Sequence, residues 1–183
     1  EITDEFGNYE FMYVAMGKEN QNIFNEKLLT LAWDISEKFE NLDECEEVIS
    51  IATMDKIYFD HYDSSIVTDD LMTQRILNKE QINDIKLYLN NNPENKSRII
   101  SKNEDFLNII VRPRTNNDYP ALSRSIHHIT NEYEDILEFH YGGQAYVTGA
   151  VPGIVADEVK VLILYGLLLM IFILLINLKS IKG

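Results

Sequence analysis

Across 183 residues the sequence sets 30 acids against 16 Lys and Arg, for a formal net charge of −14. All 30 acids and 14 of the 16 bases precede an apolar run at residues 161–178, which leaves the part before it at −16. A surface so acidic repels phosphate backbones and excludes a nucleic-acid reader, and a single cysteine, Cys45, excludes an internal disulfide framework.

Taken in chain order, residues 9–16 are dense in aromatic and β-forming side chains and stop at Gly17, which predicts a strand. Phe24, Leu28, Leu31, Ile35, Phe39 and Leu42 recur every three or four residues within 23–42, the spacing of one face of an amphipathic helix. A second, short strand is expected at 48–52. Residues 54–102 form a long connection with a helix around 81–89 and an Asn-rich turn at 90–95. Residues 55–70 mix aromatics with acids at no clean period, and no regular structure is expected there. A third strand runs through 106–112 and is closed by Pro113. The helix that starts near Pro120, an allowed first-turn proline, carries Leu122, Ile126, Ile129, Tyr133 and Ile136 on one side. Residues 145–148, entered through Gly142 and Gly143, read as a fourth strand. Strand, helix, strand, twice over, predicts an α+β domain of the ferredoxin-like split βαβ kind, with helices on one side of an antiparallel sheet.

Residues 161–178 contain no charge and show no polar face, unlike a core-facing amphipathic helix. A hydrocarbon layer about 30 Å thick needs roughly 17–25 apolar residues as a helix, so this run is long enough to cross. Asp157 and Glu158 precede it, and Lys179 and Lys182 follow it. The positive-inside tendency then assigns residues 1–156 to an extracytoplasmic α+β domain. Residues 157–183 become a transmembrane helix with a short cytoplasmic end. The sequence opens on Glu1 and is expected to be a segment of a longer protein.

Four patches carry a likeness to a known family. Phe6-Gly7-Asn8 precedes the first strand, where the family commonly has Phe-Gly. Glu47-Val-Ile-Ser-Ile-Ala-Thr53 looks like its V-x-S-L-T second strand. Asn92-Pro93, followed by Arg98-Ile-Ile-Ser-Lys-Asn-Glu-Asp105, looks like its turn into the third strand. Val147-Thr-Gly-Ala-Val-Pro-Gly153, then acids and the apolar run to Gly183, looks like its V-T-G-x-P passage into the second span. In this order and spacing the sequence resembles the first extracytoplasmic loop and second transmembrane helix of the resistance–nodulation–division superfamily, in the manner of its MMPL and patched-like exporters. It departs from the pattern at Glu46 and Glu47, which replace a glycine, at the turn near Asn92-Pro93, which lacks one, and at Ala150-Val151, which lengthens the Gly-to-Pro spacing.

The resemblance implies a proton-driven exporter, multi-pass in the cell (inner) membrane, whose paired porter domains pass hydrophobic or amphiphilic cargo without covalent chemistry or cofactor. The implied partners are the lipid bilayer and the rest of the same transporter chain, meaning a second porter domain and the other transmembrane helices. No Asp, Glu, Lys, Arg or His lies within residues 161–178, so a proton relay is not expected in this span. The segment is expected to supply a porter subdomain and, at Asp157, Glu158 and Lys160, its link to the membrane. Phe11, Tyr13, Phe59, Tyr62 and Tyr146 are the expected cargo-facing aromatics. The competing class is a single-pass anchored module that binds a ligand or partner.

Other features read as ordinary. The acids around Cys45 (Asp43, Glu44, Glu46, Glu47) are expected to raise its thiol pKa and leave it a poor nucleophile. Adjacent His127 and His128 lack the i, i+4 spacing of a helical metal site. Asp60-His61-Tyr62-Asp63 lacks the ligand ladder and turning glycine of a calcium loop. No catalytic or metal-binding constellation is expected.

Overall fold

A computed structural model describes residues 10–60, 65–114 and 118–180. The patch Phe6-Gly7-Asn8, the expected strand start at Tyr9, and His61, Tyr62 and Asp63 lie outside the described residues. Strand β1 (Met12–Gly17) is followed by α1 (Glu26–Glu40), β2 (Cys45–Ile49), β3 (Asp55–Asp60) and β4 (Ser65–Asp70). Then come α2 (Lys79–Asn91), α3 (Pro93–Ile99), β5 (Phe106–Pro113), α4 (Tyr119–Asn131), β6 (Glu138–Gly142) and α5 (Gln144–Ser180).

The chain is an α+β protein. Four strands form one sheet in the order β2-β5-β1-β6, and every neighbouring pair is antiparallel. Register explains which side chains share a face. Met12, Val14 and Met16 stand opposite Val111, Ile109 and Leu107, and Val48 also meets Val111. All seven are buried, in one core with Leu28, Leu29, Ala32, Ile35 and Phe39 of α1 and Leu122, Ile126 and Ile129 of α4. The alternate residues, Tyr13 and Ala15 of β1 and Asn108 of β5, point the other way, as the period of two in a strand requires.

Local chemistry fixes the ends of these elements. Asn25 caps α1 by accepting from the Leu28 N–H at 2.9 Å, and Glu26 sits in the first turn, where the helix dipole favours an acid. After β2, Ser50 and Thr53 close a tight knot. Thr53 Oγ1 accepts from the Ser50 N–H at 2.9 Å and donates to the Val48 carbonyl at 2.7 Å. Ser36 of α1 bonds Ser50 at 2.8 Å, both buried, so each hydroxyl is satisfied inside the core. Before β5, Ser101 Oγ accepts from the Asp105 and Phe106 N–H groups, and Glu104 adopts φ 56°. Two of the motif patches quoted above are therefore hydrogen-bonded turns that start or end core strands.

Three expectations change. Residues 145–148 belong to α5 rather than to a strand, and the last strand of the sheet is β6, whose Phe139 and Tyr141 pair with Met16 and Val14. The physical reason is packing: Ala145 is fully buried and Gly149 lies against α4 while Val147 between them is exposed, which fits a helical repeat and not the period of two of a strand. Residues 55–70 form a hairpin, β3 with β4, in which Ile57 faces Thr68 and Phe59 faces Ile66. Adjacent Tyr58 and Phe59 mask the alternation, because both faces of the ribbon carry an aromatic. The Asn-rich turn is confined to the α2–α3 junction at Asn92, and Pro93 opens α3.

Helix α5 runs for 37 residues, about 55 Å at 1.5 Å per residue. Its beginning packs on the domain, and residues 151–177 are exposed throughout. An apolar helical surface of this size left uncovered marks a membrane or partner contact. By length and composition this helix is able to cross a membrane.

Candidate functional site

The site lies where α5 leaves the domain. Gly143 turns the chain out of β6 at φ +91°, and a Cβ there would stand 2.2 Å from the Phe11 carbonyl oxygen, so only glycine fits. One turn and a half later, a Cβ on Gly149 would stand 2.4 Å from the Tyr119 carbonyl oxygen. The first contact holds the entry to α5 against the residue before β1, and the second presses the start of α5 against α4. Asp118 caps α4 by accepting from the Ala121 N–H at 3.2 Å, which fixes that end of the pair.

Between the two helices runs a groove of about 700 Å³. Arg124, His127, His128 and Asn131 of α4 line one wall, at the i, i+3, i+4, i+7 spacing that shares a helical face. Tyr146, Ala150, Pro152, Gly153, Ile154 and Asp157 of α5 line the other. Small residues and a proline leave that wall low and apolar. Pro152 has no N–H to give the Thr148 carbonyl, so the helix is weakest alongside the groove.

Aromatic rings gather where His127 and Tyr146 meet. Tyr141 of β6 stacks on Tyr146 with centroids 5.4 Å apart and planes 17° from parallel. The His127 ring lies 4.2 Å from Tyr141 and 6.0 Å from Tyr146. Thr130 Oγ1 and the Tyr141 hydroxyl are hydrogen-bonded at 2.7 Å. Burial holds the His127 imidazole below its usual value near 6.5, against a smaller opposing pull from Glu134, so the ring is neutral at pH 7. Burial likewise raises the Tyr141 phenol.

Charge in the groove is uneven. Asp157 is tied to Lys160 at 2.7 Å, one turn along α5. Arg124 is exposed and makes no ion pair with any described residue. The groove therefore offers a free guanidinium and two imidazoles above an apolar wall. It can hold an anion with an apolar extension. Among the described residues no hydroxyl or thiol is hydrogen-bonded to a histidine, and no group of three His, Cys, Asp or Glu is placed to hold a metal ion.

The expected cargo-facing aromatics are not gathered at one place. Tyr146 lines the groove. Phe11 and Tyr13 are near neighbours, centroids 6.5 Å apart, and Tyr13 leaves β1 on the side away from the core. Phe59 is half exposed on the β3–β4 hairpin, and Tyr62 lies outside the described residues. Asp157, Glu158 and Lys160 stand on α5 just before the apolar run, all exposed. Sequence reasoning passed over Arg124 and Asn131, and took Pro152 only as part of the V-T-G-x-P patch. The polar stripe 124, 127, 128, 131 on the back of the predicted helix was the signal that could have found the first two.

Comparison with protein-family models, with curated proteins and with solved structures finds no match to this chain.

Proposed function

We propose that this chain is the first extracytoplasmic porter loop and second transmembrane helix of a proton-driven exporter of the resistance–nodulation–division type, multi-pass in the whole protein, handling hydrophobic or amphiphilic cargo. The domain is read as a ferredoxin-like porter subdomain, and residues 161–178 as a membrane span with its C-terminal end in the cytoplasm. One observation carries the reading: the last element of the α+β domain and the apolar span are a single uninterrupted helix, α5. A continuous helical connection of this kind, missing one backbone hydrogen bond at Pro152, transmits displacement between a cargo-handling domain and a membrane machine, whereas a tethered binding module works on a flexible linker. The strand order β2-β5-β1-β6, with α1 and α4 sharing one core, adds support, because that order is the one a split βαβ pair produces. So does the groove beside α5, whose free cation and apolar wall suit an amphiphile.

The test is transport by the whole reading frame in proteoliposomes. With a proton gradient imposed, a fluorescent anionic amphiphile should leave the membrane or lumen faster than in protein-free vesicles, and an uncoupler should abolish the difference. A reading frame with this one span, or export indifferent to the uncoupler, would leave the anchored binding module as the better account.

A further inference from the structure

We infer that the α4–α5 groove is a binding site for the anionic headgroup of a membrane lipid, with Arg124 as its charge partner. The inference rests on the reading of residues 161–178 as a membrane span and adds what sits beside it. Four observations converge. The groove, about 700 Å³, falls within the range of sites that enclose a small ligand, roughly 300–1,000 Å³. Arg124 is exposed on its wall and unpaired among the described residues, although acids outnumber bases 30 to 14 before the span. A guanidinium is the side chain best shaped to take a phosphate or carboxylate by two parallel hydrogen bonds. His127, His128 and Asn131 add nitrogen atoms on the same face of α4.

Position selects the lipid over a soluble anion. Ile154 and Asp157 form the lower lip of the groove, seven and four residues before Val161. At 1.5 Å per residue they stand about 10 and 6 Å outside the start of the apolar run. The headgroup layer is roughly 5–7 Å deep on each side of the hydrocarbon core, so the lip reaches it at Asp157, with Ile154 just beyond. A phosphate that enters over this lip shares the groove with Arg124, while its acyl chains follow the apolar face of Pro152, Gly153 and Ile154 back to the span. The aromatic stack of Tyr141, Tyr146 and His127 stands at the Tyr146 end of the groove, eight residues before Ile154 on α5. The −16 domain otherwise repels anionic lipid, which makes a local cation beside the span the place where such a lipid docks.

The experiment uses the 183-residue chain in nanodiscs of phosphatidylcholine with or without phosphatidylglycerol carrying a photoreactive headgroup. Crosslinks mapped by peptide sequencing should concentrate on residues 120–131 and 146–157. Arg124→Gln should reduce them about tenfold, the loss of one charge-assisted contact of about 1.4 kcal/mol. Arg98→Gln, an exposed arginine on α3, serves as the charge-matched control and should leave them unchanged. Uniform labelling, equal labelling in both variants, or protection by inorganic phosphate as complete as by unlabelled lipid would overturn the proposal. Circular dichroism of Arg124→Gln confirms that any loss is not unfolding. Resistance of the chain to carbonate extraction is read in the same samples. If the chain is extracted, the membrane reading fails; if it is retained without specific labelling, only the lipid site fails.

Discussion

Cys45 and His127 show how much a side chain's chemistry depends on its burial. The Cys45 thiol, 3 % exposed and 3.5 Å from the Glu47 carbonyl oxygen, is pushed up to about 11, chiefly by desolvation, with Glu40 and Glu46 adding to it. Acids near it in sequence are the smaller cause. In the folded protein it should be inert to a thiol reagent at pH 8, and one equivalent should react after addition of denaturant. Full reaction of the native chain would contradict the burial. His127 acts on stability with a definite sign. Its pKa is lowered on folding, so as pH falls through about 6.5 the unfolded chain takes up a proton before the native one does. That contribution is complete above 6.5 and is lost as pH drops below it. Denaturant titrations should show the protein weaker at pH 5.5 than at pH 7.5, and His127→Phe should shrink the difference. Glu104, held low by Lys96 and Lys86, adds a second loss that begins only as pH falls through its ordinary value of 4.5.

Among the elements, legibility followed how local the information was. Helix α1 was readable because six apolar side chains recur at helical spacing, and β5 because eight residues, mostly β-branched or apolar, end at a proline. The start of α5 was not. Ala145, Tyr146, Val147 and Thr148 favour a strand taken alone, and only their contact with α4 makes them helical. The same contact supplies an expected outcome. Gly149→Val should lower stability by about 1–3 kcal/mol, measured by chemical denaturation, since its side chain would meet the Tyr119 carbonyl and lever α5 off α4. Gly153→Val, where a Cβ would meet nothing within 4 Å, should cost far less. The groove itself had no sequence signature beyond the stripe on α4. Its second wall comes from a segment more than twenty residues later, and the pairing depends on the turn at Gly143.

For the whole molecule, a buried α+β core and an exposed apolar helix predict two different solution behaviours in one chain. With α5 complete, the protein should require detergent or a bilayer, and it should resist carbonate extraction. Shortened to residue 156, it should stay in the supernatant with its sheet and remaining helices intact by circular dichroism, because Ala145 and Gly149, the residues that α5 buries against the domain, are retained. Aggregation of the shortened chain would mean that residues 157–180 complete the fold rather than leave it. The acidic surface favours solubility of the domain, since like charges keep separate copies apart.

The clamp between Gly149 and Tyr119 also sets an angular phase. An α-helix advances about 100° per residue, so a helix held at its first turns determines which side of the span faces which neighbour some twenty residues on. Inserting one residue between Ile154 and Asp157 rotates everything after it by about 100° and lifts it 1.5 Å, with no change in composition. Inserting seven returns the phase to within about 20°, at the cost of a longer stem. A function that depends on the orientation of the span should fail with the first insertion and recover with the second, whereas one that needs only attachment should tolerate both.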